Sequence, residues 1–243
     1  MYKNKNNFIA IIPARSGSKE VKNKNVIKIE GHPLIAYSIE AAKKSKFVKN
    51  VFVTTDGKYI AKVARQYGAK VIFRPKQISK HTSQIEDAIL HAIEYVEKFY
   101  KKEVENIVLM QPTSPLRNKD DLDNAIKKFI KDKADSLFSC INNHPLVWQY
   151  KNYKFSPLNY NQYKRPIRQT MLPTLIENGS IYVTKKKIFK TKKNRLAGKI
   201  SSYVMESYTK MELDTKKDLK FLSAFMKPKN IKMFNLINPK KIK

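Results

Sequence analysis

Short apolar runs alternate along this chain with longer segments in which apolar residues recur at helical spacing. The apolar runs predict strands over residues 8–12, 51–56, 70–73, 107–110 and 136–141, and later over 179–184, 203–205 and 211–214. The longer segments predict helices over residues 34–44, 60–67, 84–100, 120–134, 186–190 and 216–226. This alternation favours an α/β fold with a doubly wound, mostly parallel sheet.

Ligands of such a sheet bind in the crevice outside the carboxyl ends of its strands. The strand ends at residues 15–25, 54–56 and 111–117 are therefore the candidate functional regions. The first of these is small and basic, and its backbone N–H groups and cations suit a bound phosphate. Its spacing matches neither the P-loop nor the dinucleotide fingerprint, so a solvated basic turn is the alternative interpretation.

Two carboxylates late in the chain are candidate metal ligands. Glu212 and Asp214 are two residues apart and would point the same way on the predicted strand over residues 211–214. One or two carboxylates together with substrate phosphates are the usual ligands of Mg²⁺. The alternative is that Asp214 caps the helix that follows it.

The regular alternation stops between residues 142 and 176. This stretch is rich in Tyr, Asn and Pro, contains the only tryptophan, Trp148, and is longer than an ordinary loop. We interpret it as a functional insertion or an oligomerisation arm within a domain over residues 1–228. A lysine-rich tail follows over residues 229–243, in which Phe234, Leu236 and Ile237 are able to pack locally.

Composition narrows the function less than the motifs do. The chain has 243 residues, enough for one α/β domain, and a net charge of +30, which suggests an acidic partner. Only seven of the 50 basic residues are arginine, and the lysines are spread over every predicted helix and the tail, so a nucleic-acid interface is disfavoured. The single cysteine, Cys140, excludes an internal disulfide. We find neither a membrane span nor a signal peptide and expect the cytoplasm.

Six motifs in order resemble the acylneuraminate cytidylyltransferase, or CMP-sialic acid synthetase, family. They are Ile-Ile-Pro-Ala-Arg-Ser-Gly-Ser-Lys (11–19) with Lys-Asn-Lys-Asn (22–25), Leu-Ile-Ala-Tyr-Ser-Ile-Glu-Ala-Ala (34–42), Val-Thr-Thr-Asp (53–56), Gln-Pro-Thr-Ser-Pro-Leu-Arg (111–117), Glu-Asn-Gly-Ser-Ile-Tyr (177–182) and Glu-Leu-Asp-Thr (212–215). The resemblance covers residues 8–225. It implies a Rossmann-like nucleotidyltransferase that joins a 2-keto-3-deoxy sugar acid to CMP, using CTP and releasing pyrophosphate.

The resemblance also implies roles for individual residues, a homodimer built by residues 142–176, and Mg²⁺ or Mn²⁺ as cofactor. Arg15 and Lys24 would be catalytic, holding the triphosphate together with Ser18 and Lys19. Asn25 and Ser83 would contact the nucleotide, Gln111 and Arg168 the sugar acid, and Glu212 and Asp214 the metal.

Three positions depart from the family pattern. Glu20 replaces a glycine near the phosphates, Glu212 replaces an aspartate, and Ile176 stands where many members have arginine. The last departure leaves the sugar acid open. The alternatives are a cytidylyltransferase for 3-deoxy-manno-octulosonate and, from another class, a basic nucleic-acid-binding protein on a nucleotide-binding fold.

Overall fold

A computed structural model describes residues 7–18, 20–101 and 103–240. Its strands are β1 Phe8–Pro13, β2 Lys28–Ile29, β3 His32–Pro33, β4 Val48–Thr55, β5 Lys70–Phe73, β6 Asn106–Met110, β7 Ser136–Asn143, β8 Trp148–Lys151, β9 Lys154–Pro157, β10 Thr174–Lys185 and β11 Ile200–Met205. Its α-helices are α1 Leu34–Lys44, α2 Lys58–Gln66, α3 Ile85–Tyr100, α4 Asp121–Lys131, α5 Lys186–Lys192, α6 Lys216–Phe225 and α7 Pro228–Met233.

Seven of these strands form the central sheet, in the order β11-β7-β10-β6-β1-β4-β5. Strand β10 runs antiparallel to β6 and β7, and the other neighbouring pairs are parallel. The predicted doubly wound, mostly parallel sheet is therefore confirmed. Since β4 and β5 lie on one side of β1 and β6 on the other, the strand order reverses beside β1, which is where such sheets bind ligands.

Strand β1 is buried on both faces because helices cover both sides of the sheet. Successive side chains of a strand point to opposite faces. Phe8, Ala10 and Ile12 accordingly pack in the cluster that contains residues of α1, α2 and α4. Ile9 and Ile11 pack in the opposite cluster, with residues of α3 and α5. Each fully buried isoleucine contributes roughly 1.5–3 kcal/mol by leaving water, so this strand is firmly anchored.

A third apolar cluster attaches the end of the chain to the domain. Leu222 of α6 and Ile231 of α7 pack there with Leu34, and Leu236 is 1% exposed. The N–H of Ile237 donates to the carbonyl of Arg117 (2.8 Å). The expected local packing of Leu236 and Ile237 is thus confirmed.

The predicted strand over residues 211–214 is wrong, because this segment has no strand beside it. The N–H of Leu213 donates to the carbonyl of Thr113 (2.8 Å), which belongs to the loop after β6 and not to a sheet edge. An alternation of apolar and polar residues is compatible with an extended segment on a loop as well as with a strand.

Residues 142–176, which we call the arm, leave the sheet between β7 and β10. The two strands continue to pair at its base, where Thr174 is opposite Asn143. Further out, β8 and β9 form a separate hairpin. Large apolar side chains are exposed along the arm: Trp148, Tyr150, Tyr153, Phe155, Leu158, Tyr163, Ile167, Leu172 and Leu175. Among the described residues, no helix is long and apolar enough to cross a membrane.

Candidate active site

A cleft of about 490 Å³ opens at the carboxyl ends of β1, β5 and β6, where the strand order reverses. Six of the predicted site residues line it: Arg15, Ser18, Lys24, Asn25, Ser83 and Gln111. The cleft is also lined by Glu20, Arg74, Lys80 and His81. Predicted residues that are far apart in the sequence therefore share one cavity. Lys19, another predicted nucleotide ligand, lies outside the described residues.

The loop after β1 is shaped by hydrogen bonds from its neighbours. Asp56, at the end of β4, accepts from both the N–H and the Oγ of Ser16 (both 2.8 Å). Asn25 donates its side-chain amide to the carbonyl of Arg15 (2.9 Å). The strand end at residues 54–56 thus contributes by holding the loop and is not among the residues lining the cleft.

Four cationic side chains line the cleft: Arg15, Lys24, Arg74 and Lys80. Arg74 donates to the carbonyl of Thr54 (3.1 Å), and its Nε is buried without a partner in the described part of the chain. Burial lowers the pKa of Arg74, and the nearby charge of Arg15 lowers it further, although Asp56 opposes both effects. An anion placed between these groups would relieve this repulsion, so the cleft suits a polyphosphate.

Sequence reasoning missed Arg74 and Lys80. The available signal was the predicted strand over residues 70–73, which Arg74 follows directly. That strand end was not among the three candidates, although the sheet order places β5 close to β1.

The two predicted metal ligands lie next to the cleft in different surroundings. Glu212 is partly buried and accepts from the Oγ of Ser114 (3.2 Å). Its pKa is raised, first by burial and then by the charge of Asp214, so the two carboxylates lie close enough to interact. Asp214 is exposed and pairs with Lys24 (3.0 Å).

The capping interpretation of Asp214 is wrong. The cap of α6 is Thr215, whose Oγ1 accepts from the N–H of Asp218, while the Asp218 carboxylate accepts from the N–H of Thr215 (2.6 Å). This reciprocal arrangement is a capping box. Asp214 is therefore not needed to start the helix.

Gly179 opens an oxygen-lined space beside Glu212. It lies at an irregularity in the pairing of β10 with β7 and has a φ of +64°. A Cβ at this position would lie 2.7 Å from Gln111 Oε1 and 3.0 Å from Ser114 Oγ, and closer still to Glu212 Oε1. The glycine thus lets three side-chain oxygens converge.

These oxygens fit a hard divalent cation. The described residues contain no cluster of three or more His, Cys, Asp or Glu side chains able to hold a metal. Glu212 and Asp214 stay the candidate ligands, because Mg²⁺ usually binds one or two carboxylates and completes its shell with phosphates and water.

Replacing Gly179 by alanine should therefore damage both the fold and the site. The positive φ should cost about 1–2 kcal/mol of unfolding free energy. The displaced Gln111 and Glu212 should lower kcat/KM by about 100-fold, as misplacement by about 1 Å does elsewhere. Gly31→Ala is the control, since Gly31 has a φ of +83° and nothing within 4 Å of a Cβ. Urea unfolding measures the stability of both variants, and steady-state kinetics measure their kcat/KM. Equal losses of kcat/KM in Gly179→Ala and Gly31→Ala would refute the interpretation.

Arg168, the second predicted sugar ligand, does not line the cleft of its own chain. It lies in a short 3₁₀ turn of the arm and is exposed. A contact between Arg168 and the sugar acid stays a prediction, and the same holds for the roles of the residues that do line the cleft.

Comparisons with known proteins show which family model and which proteins this chain is similar to. A family model described as cytidylyltransferase matches residues 9–238. The N-acylneuraminate cytidylyltransferase of Escherichia coli O18:K1:H7 (strain RS218 / NMEC) is 29% identical over 239 aligned residues, covering 94% of this chain and 54% of that protein. The chain thus spans about half the length of that relative.

Two further proteins, one similar in sequence and one similar in fold, are matched over nearly their whole length. The pseudaminic acid cytidylyltransferase of Campylobacter jejuni subsp. jejuni serotype O:23/36 (strain 81-176) is 30% identical, covering 90% of this chain and 96% of that protein. A solved structure of CMP:2-keto-3-deoxy-manno-octonic acid synthetase complexed with CTP superposes with a TM-score of 0.68 at 17% identity, covering 90% of this chain and 98% of that one. The similarity to the solved structure shows the fold alone.

Proposed function

This chain belongs to the cytidylyltransferase family, and from that premise we propose that it activates a sugar acid with CTP. The sugar acid is a 2-keto-3-deoxy acid of the sialic or related nonulosonic type, and the products are the CMP-sugar and pyrophosphate. The names of the Escherichia coli and Campylobacter jejuni relatives support this substrate class. The observation that carries the proposal is the cleft beside β1, which four cations line together with Gln111, a residue that also borders the oxygen-lined space at Gly179.

The reaction requires positioning and charge neutralisation more than covalent chemistry. The anomeric hydroxyl of the sugar acid attacks the α-phosphorus of CTP. A new oxygen–phosphorus bond forms while the bond to the β-phosphate bridge breaks, and a proton is released. Arg15, Lys24 and Arg74 face the triphosphate and neutralise the charge that moves onto pyrophosphate.

Gln111 lies on the β6 side of the cleft, across β1 from Arg74 on the β5 side. This arrangement separates an anion-binding side from a side suited to hydroxyl groups, where the sugar acid binds. We assign contacts with the nucleoside to Asn25 and Ser83, which line the same cleft.

Glu212 and Asp214 would hold Mg²⁺ or Mn²⁺. The ion would neutralise phosphate charge and polarise the phosphoryl oxygens. Their carboxylate oxygens are hard donors, which suit these ions. We propose the cytoplasm as the compartment of the reaction.

Pyrophosphate release from CTP and Mg²⁺ tests the proposal. The purified chain is given a panel of sialic, legionaminic and pseudaminic acids and 3-deoxy-manno-octulosonate, and the CMP-sugar is identified by mass. Turnover with a nonulosonic acid is the expected result. Absence of pyrophosphate with every member, while the protein is folded, would reject the proposed activity. Salt-sensitive binding of RNA or DNA, without release of pyrophosphate, would favour the alternative of a nucleic-acid-binding protein.

The arm is proposed to join two chains into a homodimer. Its exposed aromatic side chains include Trp148, which is 46% exposed, and Tyr150, and these are residue types that concentrate in interfaces. Light scattering should give twice the mass of the chain at micromolar concentration. Trp148→Ser combined with Tyr150→Ser should shift the equilibrium toward monomer, whereas Tyr59→Ser, an exposed tyrosine on α2, should not. A fully active monomeric wild type would contradict the proposal.

Glu20 should weaken the binding of CTP, because its carboxylate lines the same cleft as the four cations. Its side chain is exposed, so the repulsion toward phosphate is screened by water. Glu20→Gln should lower the KM for CTP by about two- to fivefold at low salt. Glu103→Gln is the control, because Glu103 is exposed and lies at the amino-terminal ends of β1 and β6, away from the cleft at their carboxyl ends. An unchanged KM at low ionic strength would show that Glu20 points away from the phosphates.

A further inference from the structure

Arg117 is among the largest side chains that are fully buried, with 1% exposure. Its guanidinium donates three hydrogen bonds: to the Oγ of Ser38 (3.0 Å), the carbonyl of Gln111 (2.9 Å) and the carbonyl of Ser180 (2.9 Å). These acceptors belong to α1, to the residue after β6 and to β10. One side chain thus connects three elements behind the cleft.

Burying the guanidinium of Arg117 at this position costs folding free energy. No carboxylate in the described part of the chain forms an ion pair with Arg117 within 4 Å. Burial lowers its pKa to about 9, with partial compensation from Asp121 and Glu212, so the group is still charged at neutral pH. Burying a charge that is not ion-paired costs several kcal/mol. Its charge-assisted hydrogen bonds, worth about 1.5–3 kcal/mol each, offset that cost.

The two carbonyls that Arg117 holds belong to the two sides of the oxygen-lined space. Gln111 supplies one of its oxygens, and Ser180 directly follows Gly179, whose missing Cβ leaves the space open. Ser38 reinforces the arrangement by donating to the same Gln111 carbonyl (3.3 Å). The guanidinium therefore fixes the separation between the end of β6 and the irregular part of β10.

We propose that Arg117 is a positioning residue for the sugar-acid side of the cleft. By orienting the Gln111 peptide against Gly179, it places the Gln111 side-chain amide where that amide meets the second substrate. The inference rests on the proposed function and deepens it. The described contacts of the guanidinium lie on α1, β10 and the residue after β6, and not on the loop after β1, so the binding of CTP does not depend on it.

Kinetics of Arg117→Lys, which keeps the charge but not the planar set of donors, test the proposal. The KM for the sugar acid should rise at least tenfold, while the dissociation constant of CTP, measured by calorimetry without sugar acid, stays within about twofold. Gln111→Ala should behave similarly, and the double variant should lose little more than either single one, because residues acting as a unit are not additive. Ser38→Ala gives a milder change of the same kind if Arg117→Lys folds poorly.

Ile126→Ala is the matched control, since Ile126 is fully buried in α4 and destabilises the fold away from the cleft. It should lower the melting temperature and leave the KM for the sugar acid unchanged. Crystal structures of wild type and Arg117→Lys separate this inference from the proposed function, because they need no turnover. Gln111 should move relative to Gly179 by more than about 0.5 Å, the tolerance of a functional geometry. An unmoved Gln111, additive effects, or equal losses for both substrates would overturn the inference.

Discussion

Replacing Lys24 by methionine should lower kcat/KM by about 100- to 1,000-fold, which corresponds to the ~2.7–4 kcal/mol of a lost preorganised donor. Lys24 is held 3.0 Å from Asp214 and its side chain is 15% exposed, so its charge is already placed when the substrates arrive. Arg15→Ala should cost a similar amount, because Arg15 lines the same cleft.

Lys22→Met is the matched control, since Lys22 is an exposed lysine of the same loop that does not line the cleft. The kcat/KM of this variant should stay near that of the wild type.

Removing Lys24 should also free Asp214, so the binding of Mn²⁺ in the absence of nucleotide should become tighter. Unchanged kcat/KM in both Lys24→Met and Arg15→Ala would mean that the loop after β1 is a solvated turn.

Glu212→Gln should cost nearly as much activity as Asp214→Asn, and the double variant should cost only slightly more. We expect a loss of about 100-fold or more in kcat/KM for each, since a metal supplies several kcal/mol of charge stabilisation. The reason for similar losses is that both carboxylates would bind one ion, and removing either would release it. Both carboxylates lie beside the cleft, since Glu212 accepts from the Oγ of Ser114 (3.2 Å) and Asp214 pairs with Lys24 (3.0 Å), which lines it.

Measurements of kcat/KM against Mg²⁺ concentration are the test, because loss of a metal ligand shifts the concentration required. Asp218→Asn is the control from the same segment. Asp218 belongs to the capping box of α6, so its replacement should reduce stability by about 0.5–2 kcal/mol and leave the Mg²⁺ dependence unchanged. Wild-type rates and Mg²⁺ dependence in both carboxylate variants would place the metal elsewhere.

The parts of the fold that sequence reasoning predicted are those in which local pattern and burial agree. The predicted bounds of α1 and β5 match the structure, because each has a uniform apolar periodicity bounded by turn residues. Residues 211–214 show the opposite case. Apolar and polar residues do alternate in this segment. Such a segment forms a strand only if it pairs with another strand, and this one pairs with a loop.

Sequence reasoning predicted several site residues that follow a predicted strand. Arg15, Lys24 and Gln111 follow predicted strands, and the topology brings them into one cleft. Arg74 was missed because its importance depends on β5 lying beside β4, which no local pattern reveals. Arg168 was predicted from the resemblance alone, and the structure places it in an exposed turn of the arm and not among the residues that line the cleft of its own chain.

The position of β10 in the sheet determines the order in which the protein can be assembled during synthesis. Strands β1, β4, β5 and β6 are pairing neighbours and are complete once residue 110 has emerged from the ribosome. The other edge of β6 pairs with β10, which is not made until residues 174–185. Throughout the synthesis of the arm, the nascent chain therefore exposes an unpaired edge on a strand that is mostly apolar. Such edges promote aggregation, so the interval between the synthesis of β6 and that of β10 is the stage at which the nascent chain is most exposed to it.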